Sequence, residues 1–202
     1  METILISHVN APSTPSYLII SDIFGDSAAL RRFADALGKP FQVISPYPKL
    51  IPFIDEADAY QYFMQHVGLQ GYAKKIEQQL DNLTSPANVI AFSVGASSMW
   101  LLSDTLAKKT CSNIAQVDCF YSAQIRHHLA IEPQLSLRFI FPIEEMHFDV
   151  DSVIQQLGTK ANVNVIKTPW RHGFMNALSI NFSDTGYKHC LNQLKNGRCI
   201  KD

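Results

Sequence analysis

The chain has 202 residues, 47% hydrophobic and 17% charged, with a net charge of −1. That length suits one domain over residues 1–202, which buries roughly 70% of its unfolded surface. The balanced charge excludes the basic surface that nucleic acid or an anionic membrane requires, and no apolar stretch reaches the ~20 residues that span a bilayer.

The opening METILISHVN has neither the positive start nor the long apolar core of an export signal, so a cytoplasmic location is expected. Thr3–Ser7 reads as a short edge strand and Pro12–Pro15 as a turn. Tyr17–Ile20 is an apolar strand that runs into Ser21-Asp22-Ile23-Phe24-Gly25-Asp26. Leu30, Phe33, Ala34 and Leu37 recur at helical spacing, which predicts a helix over Ser27–Leu37 that Gly38-Lys39-Pro40 stops. Phe41–Ile44 is a second strand, closed by Pro46 and Pro48.

Leu50–Gly71 is aromatic and acidic without a clean period. It reads as a loop with short helices capping the strand ends. Tyr72–Leu83 has the amphipathic pattern of a helix, with Ile76 and Leu80 on one face and Lys74, Lys75, Glu77 and Gln78 on the other. Further on, the pattern predicts a central strand at Val89–Phe92 with a helix to about Lys108. Strands follow at Ala115–Tyr121, Leu137–Phe141 and Val163–Ile166, and helices at Val150–Leu157 and Thr185–Leu194. Strand and helix alternate, with gaps too long for hairpins. This predicts an α/β domain with a mostly parallel sheet and helices on both faces. Cys111, Cys119, Cys190 and Cys199 have no metal-ligand or CxxC spacing and are expected as reduced thiols.

One stretch carries chemistry. In Asn88–Leu102, NVIAFSVGASSMWLL, an apolar strand stops at Ser93, small residues follow, and a helix begins. A strand–turn–helix this tight strains the backbone of the serine and requires small residues two positions before and after it, here Ala91 and Gly95. The turn lifts the hydroxyl above the sheet edge and aims the Val94 N–H at the oxygen on which charge would develop. A serine and glycine chosen only to make the turn would give the same pattern.

In parallel sheets functional groups collect at the carboxyl ends of strands. The loop after Ile20 offers a second N–H near Ile23 for the same oxygen. Phe24, Tyr47 and Trp100 are candidate walls of an apolar pocket and equally suit the core. The loop after Phe141 holds Glu144, Glu145 and Asp149, each able to orient a histidine. The loop after Ile166 holds Pro169-Trp170-Arg171-His172-Gly173-Phe174, where His172 is the candidate general base. His147, in the acid's loop, is its rival; His8, His66, His127, His128 and His189 read as surface or packing residues. Serine, acid and histidine in this order at successive strand ends match the chain order of an α/β-hydrolase triad.

Asp22-Ile23-Phe24-Gly25, Ser45-Pro46-Tyr47, Ala91-Phe92-Ser93-Val94-Gly95-Ala96, Tyr121-Ser122 and His172-Gly173-Phe174 together resemble the dienelactone hydrolase family, from about Tyr17 to the last helix. The resemblance implies a three-layer α/β-hydrolase fold without a large lid. It also implies Ser93 as nucleophile, His172 as base, and the Ile23 and Val94 amides as donors. Pro142-Ile143-Glu144-Glu145 stands where the family has its acid loop, which puts Glu145 in the acid's place. Ala91 and Ala96 replace family glycines, and no arginine follows the histidine motif as it does in the lactone-cleaving members.

The expected function is a serine hydrolase acting on a small ester, lactone or thioester, with no metal or organic cofactor. Its partner is that small-molecule substrate rather than nucleic acid or membrane. The rival is a non-catalytic protein of the same fold that binds a small ligand or a partner.

Overall fold

The computed structural model describes residues 15–197. The strand expected at Thr3–Ser7, all but the last residue of the turn at Pro12–Pro15, His8 and Cys199 lie outside them. Six strands form one sheet: β1 (Tyr17–Ile20), β2 (Phe41–Ile44), β3 (Ala87–Phe92), β4 (Ile114–Phe120), β5 (Leu137–Phe141) and β6 (Val163–Lys167). Their order is β2-β1-β3-β4-β5-β6, and each pairing is parallel. Strand order reverses between β1 and β3, where the loops after the two strands diverge and leave a crevice.

Side chains alternate across a strand, so the strands feed two separate cores. Leu18, Ile20, Val89, Ala91, Val117, Cys119 and Phe139 face α3 (Gly68–Leu80), α4 (Val94–Leu102) and α6 (Val150–Leu157). Tyr17, Ile19, Ile90, Phe92, Phe120 and Ile140 face α1 (Ala28–Ala36) and α7 (Asp184–Lys195). With both faces covered, the strands are apolar almost throughout, as a buried parallel sheet requires. Three layers result.

Three helices follow the sequence closely. Ser27 caps α1 by accepting from the Leu30 N–H, Asp149 caps α6, and Ser183 caps α7. Three elements differ from expectation. Leu50–Gly71 contains α2 (Glu56–His66), an eleven-residue helix capped by Asp55, and α3 begins at Gly68 rather than Tyr72. The first turn of α3 is held by a tertiary bond, from Ser98 Oγ to the Leu69 carbonyl at 3.2 Å, which offsets the weak helical propensity of its two glycines. It ends at Leu80, three residues before the expected Leu83.

The helix after β3 ends at Leu102 and not near Lys108. There the Ser103 and Thr105 hydroxyls take the Trp100 and Leu102 carbonyls at 2.7 and 3.3 Å, competing for bonds the helix would need to continue. A separate short helix, α5 (Lys108–Ser112), follows. No helix among the described residues is long and apolar enough to cross a membrane.

Candidate active site

The turn at the end of β3 has the strain its sequence predicts. Ser93 sits at φ 49°, ψ −114°, a backbone region that L-residues adopt only when their surroundings enforce it. The enforcement is visible. Ser93 N–H donates to the Phe120 carbonyl on β4, and its carbonyl accepts from the Ser97 amide and hydroxyl. Ser97 Oγ in turn lies 2.9 Å from Ser122 Oγ, which ties the first turn of α4 to the loop after β4. A Cβ at Gly95 would stand 2.4 Å from the Ser21 carbonyl oxygen. Only glycine lets β1's exit loop pass this close.

The three loops of interest converge on that turn. Ser93 Oγ lies 3.1 Å from His172 Nε2, and His172 Nδ1 lies 2.6 Å from Glu145 Oε1. A carboxylate oxygen only accepts, so Nδ1 carries the ring proton and Nε2 turns its lone pair to the serine hydroxyl. The Glu145 side chain is 11% exposed and the His172 side chain 32%, so the acid is held mostly out of solvent while the imidazole edge reaches the cleft. The Tyr121 ring packs against the imidazole at 4.9 Å between centroids, and Asn181 Nδ2 donates to the His172 carbonyl at 3.0 Å.

The other acids of the loop are occupied elsewhere. Glu144 pairs with Arg171 at 2.8 Å, both well exposed, and Asp149 accepts from the Asp151 N–H at the start of α6. His147 is exposed on the cleft wall, and no hydrogen bond joins it to Ser93 among the described residues.

Ile23 and Val94 line the same cleft as Ser93. Val94 is the first residue of α4, where helical N–H groups have no partner within the helix, and Ile23 follows Asp22 in the loop after β1. Neither amide donates a hydrogen bond among the described residues. Asp22 organises the Ile23 side. Its Oδ1 accepts from the Phe24 N–H at 3.0 Å and its Oδ2 from Asn176 Nδ2 at 2.5 Å. That joins the loop after β1 to the segment after His172. Burial raises the Asp22 carboxyl above its ordinary value of 3.8, partly offset by the Asn176 and Phe24 hydrogen bonds. Tyr121, pushed well up by burial and then by the Asp22 charge, keeps its phenol neutral.

Above these groups lies a cleft of about 610 Å³ lined by Ser93, Val94, Ile23, Phe24, Glu145 and His172. Tyr47 and Trp100 are not part of its wall. Tyr47 donates to the Ile23 carbonyl at 2.9 Å, and Trp100 is fully buried with Nε1 on the His128 carbonyl. Their large rings fill the core and brace the loops instead. The sequence offered no sign of the opposite wall, which α2 supplies through Glu56, Ala57 and Tyr60. Two of these, Glu56 and Tyr60, are one helical turn apart and so share a face. Gln124 Nε2 donates to Tyr60 Oη at 2.8 Å, linking α2 to the 3₁₀ turn Gln124–His127 that follows β4. Among the described residues no group of His, Cys, Asp and Glu is arranged to hold a metal ion.

No protein-family profile matches the chain, and no curated protein matches it. Solved structures do. The thioesterase domain of the curacin biosynthetic pathway superposes with a TM-score of 0.59 at 9% identity, over 92% of each chain. A Bacillus cereus carboxylesterase gives 0.54 at 13% identity, over 92% of this chain and 90% of its own. A Xanthomonas campestris protein assigned to the α/β hydrolase superfamily gives 0.54 at 10% identity, over 89% of this chain and 95% of its own. Likeness at such low identity speaks for architecture alone, and the architecture is the α/β-hydrolase fold.

Proposed function

We propose that the protein is a serine hydrolase that cleaves a small ester, lactone or thioester through an acyl-serine intermediate. The observation that carries this reading is the unbroken hydrogen-bond line from Ser93 Oγ through His172 to Glu145. Ser93 Oγ attacks the substrate carbonyl while His172 Nε2 takes its proton. Glu145 holds the ring in the tautomer that presents Nε2 and stabilises the imidazolium that forms. The Val94 and Ile23 amides donate to the oxyanion, an arrangement able to contribute roughly 3–4 kcal/mol per donor in related chemistry. His172 then gives its proton to the departing alkoxide or thiolate. The same nitrogen then deprotonates a water that attacks the acyl group, and the imidazolium passes that proton to Ser93 Oγ as the acyl–oxygen bond breaks and the acid leaves.

The dienelactone hydrolase resemblance rests on the loop motifs around Ile23, Ser93 and His172 and is part of this proposal. Glu145 takes the place of that family's usual aspartate, its longer side chain spanning the distance to His172.

The test is turnover of p-nitrophenyl esters of graded chain length, simple lactones and an acyl thioester, with the intact mass of the protein followed during the reaction. A transient mass gain equal to the acyl group, mapping to Ser93, is expected. Turnover with the adduct on another residue would contradict the proposed nucleophile.

A further inference from the structure

We infer that Glu56 and Tyr60 form a cation subsite in the cleft, so that the preferred substrate of the hydrolase proposed above carries an ammonium group in addition to the scissile acyl bond. This inference rests on that reading of Ser93.

Three carboxylates line the cleft: Asp22, Glu56 and Glu145. Asp22 is held by Asn176 and the Phe24 amide, and Glu145 by His172. Glu56 is half-buried, and its side chain forms no ion pair or hydrogen bond among the described residues. The acids beside it at the start of α2 are occupied. Asp55 accepts from the Asp58 N–H at 2.9 Å, and Asp58 accepts from the Ile54 N–H at 3.1 Å. Glu56 is left over, and it stands close to the reacting groups. A Cβ at Gly173, the residue after His172, would lie 3.9 Å from Glu56 Oε1. After burial, the Glu56 charge also adds to the rise of the Asp22 and Tyr121 pKa values, so this end of the cleft has a negative potential.

No cation of the protein neutralises it. Arg126 is the one lysine or arginine in the cleft wall among the described residues, and it is held elsewhere. Its Nη1 donates to the Ala123 carbonyl at 2.7 Å, and its guanidinium sits over the Phe148 ring, 5.1 Å from the centroid. Tyr60, one turn along α2 from Glu56 and in the same wall, completes the subsite. Gln124 holds its Oη at 2.8 Å, so the ring is placed before a ligand arrives and little ordering cost remains. A carboxylate beside an aromatic ring suits an alkylammonium: the ring attracts the cation through its quadrupole, and the carboxylate supplies the opposite charge.

The experiment uses two isosteric ester pairs, the members of each differing in a positive charge. Butyrylcholine and 3,3-dimethylbutyl butyrate differ on the alcohol side. The p-nitrophenyl esters of 4-(trimethylammonio)butanoate and 5,5-dimethylhexanoate differ on the acyl side. Kinetics are run on the wild type, Glu56→Gln and Tyr60→Leu. The wild type should favour the cationic member of at least one pair in kcat/KM, and that pair identifies the side of the ester that faces Glu56. Its cationic-to-neutral ratio should fall roughly ten- to hundredfold in Glu56→Gln, the range of a contact between opposite charges in a half-buried wall. In Tyr60→Leu it should fall about threefold, the worth of one cation–π contact. Glu56→Gln also removes a first-turn acid that suits the helix dipole, so the ratio and not the rate is the readout. No cation preference in the wild type, or ratios unchanged in Glu56→Gln with both members slowed alike, would overturn the inference. If no ester is turned over, calorimetry with choline decides. Binding that is lost in Glu56→Gln keeps the subsite while the hydrolase reading fails; no binding to the wild type, or binding that survives in Glu56→Gln, overturns the subsite.

Discussion

Glu145 Oε1 lies 2.6 Å from His172 Nδ1, although its neighbour Glu144 has the same side chain one residue away. The local backbone explains the choice. Pro142 ends β5, and Glu145 forms an antiparallel bridge with Phe148 that closes a tight loop and turns the Glu145 side chain toward the sheet edge. Glu144 projects outward to Arg171.

Substitutions along this loop should therefore act very unequally. Glu145→Gln keeps the shape but presents an amide that favours the wrong histidine tautomer, a loss of roughly 10⁴ in kcat where the corresponding change was made in a protease triad. Glu144→Gln removes an exposed ion pair of little value and should remain close to wild type. Asp149→Ala, which deletes the cap of α6, should cost about 1 kcal/mol of stability while turnover persists. Ester kinetics and urea denaturation on the three variants measure both effects. An inactive Glu144→Gln protein would contradict the loop's assignment.

Gly95→Ala should damage the site through the backbone. The added methyl would meet the Ser21 carbonyl oxygen at 2.4 Å and Ile20 Cγ2 at 2.8 Å. Because the first of these is main chain, β1's exit loop has to move, carrying Ile23 away from Ser93. Overpacking of this kind costs roughly 1–3 kcal/mol. A lowered urea midpoint together with a fall in kcat for esters is expected. Unchanged stability and kcat would mean that the two loops do not press together as described.

How much of this was legible beforehand depended on whether local pattern or distant contact decided the outcome. β1, β4 and α6 were readable because continuous apolar runs and a helical stripe sit between clear stop signals. The approach of the loops holding Ser93, Glu145 and His172 was anticipated from chain order, since a parallel sheet sends successive carboxyl ends to one edge. α2 was not readable. It buries only Ala59 and Phe63, too narrow a stripe to stand out among Tyr60, Tyr62 and the acids around them. The Glu56–Tyr60 wall was hidden with it. The end of α4 was misjudged because Ser103 and Thr105 look helix-compatible until their hydroxyls are seen capturing carbonyls.

The buried Asp22 should leave a signature in the pH dependence of stability. Its carboxyl is raised in the folded protein, first by burial, above an ordinary value of 3.8. Below that value the group is protonated in both the folded and unfolded chain, and its contribution is fully present. As pH rises through the elevated folded value the unfolded chain ionises more readily, and that contribution is lost. Asp22→Asn cannot titrate there. Wild-type stability measured relative to Asp22→Asn should therefore decline as pH increases from about 4, in urea titrations at a series of pH values. A gap that is flat, or that grows in favour of the wild type with pH, would contradict a raised carboxyl.

The central claim, that His172 activates Ser93 for attack, is tested most directly by the rate at which a fluorophosphonate probe labels the protein. An unactivated serine hydroxyl reacts negligibly with such reagents, so labelling reports activation and not binding. The account predicts rapid labelling of the wild type at Ser93, none in Ser93→Ala, and near-complete loss in His172→Ala although Ser93 is still present. Labelling of His172→Ala at the wild-type rate, or no labelling of correctly folded wild-type protein, would contradict it.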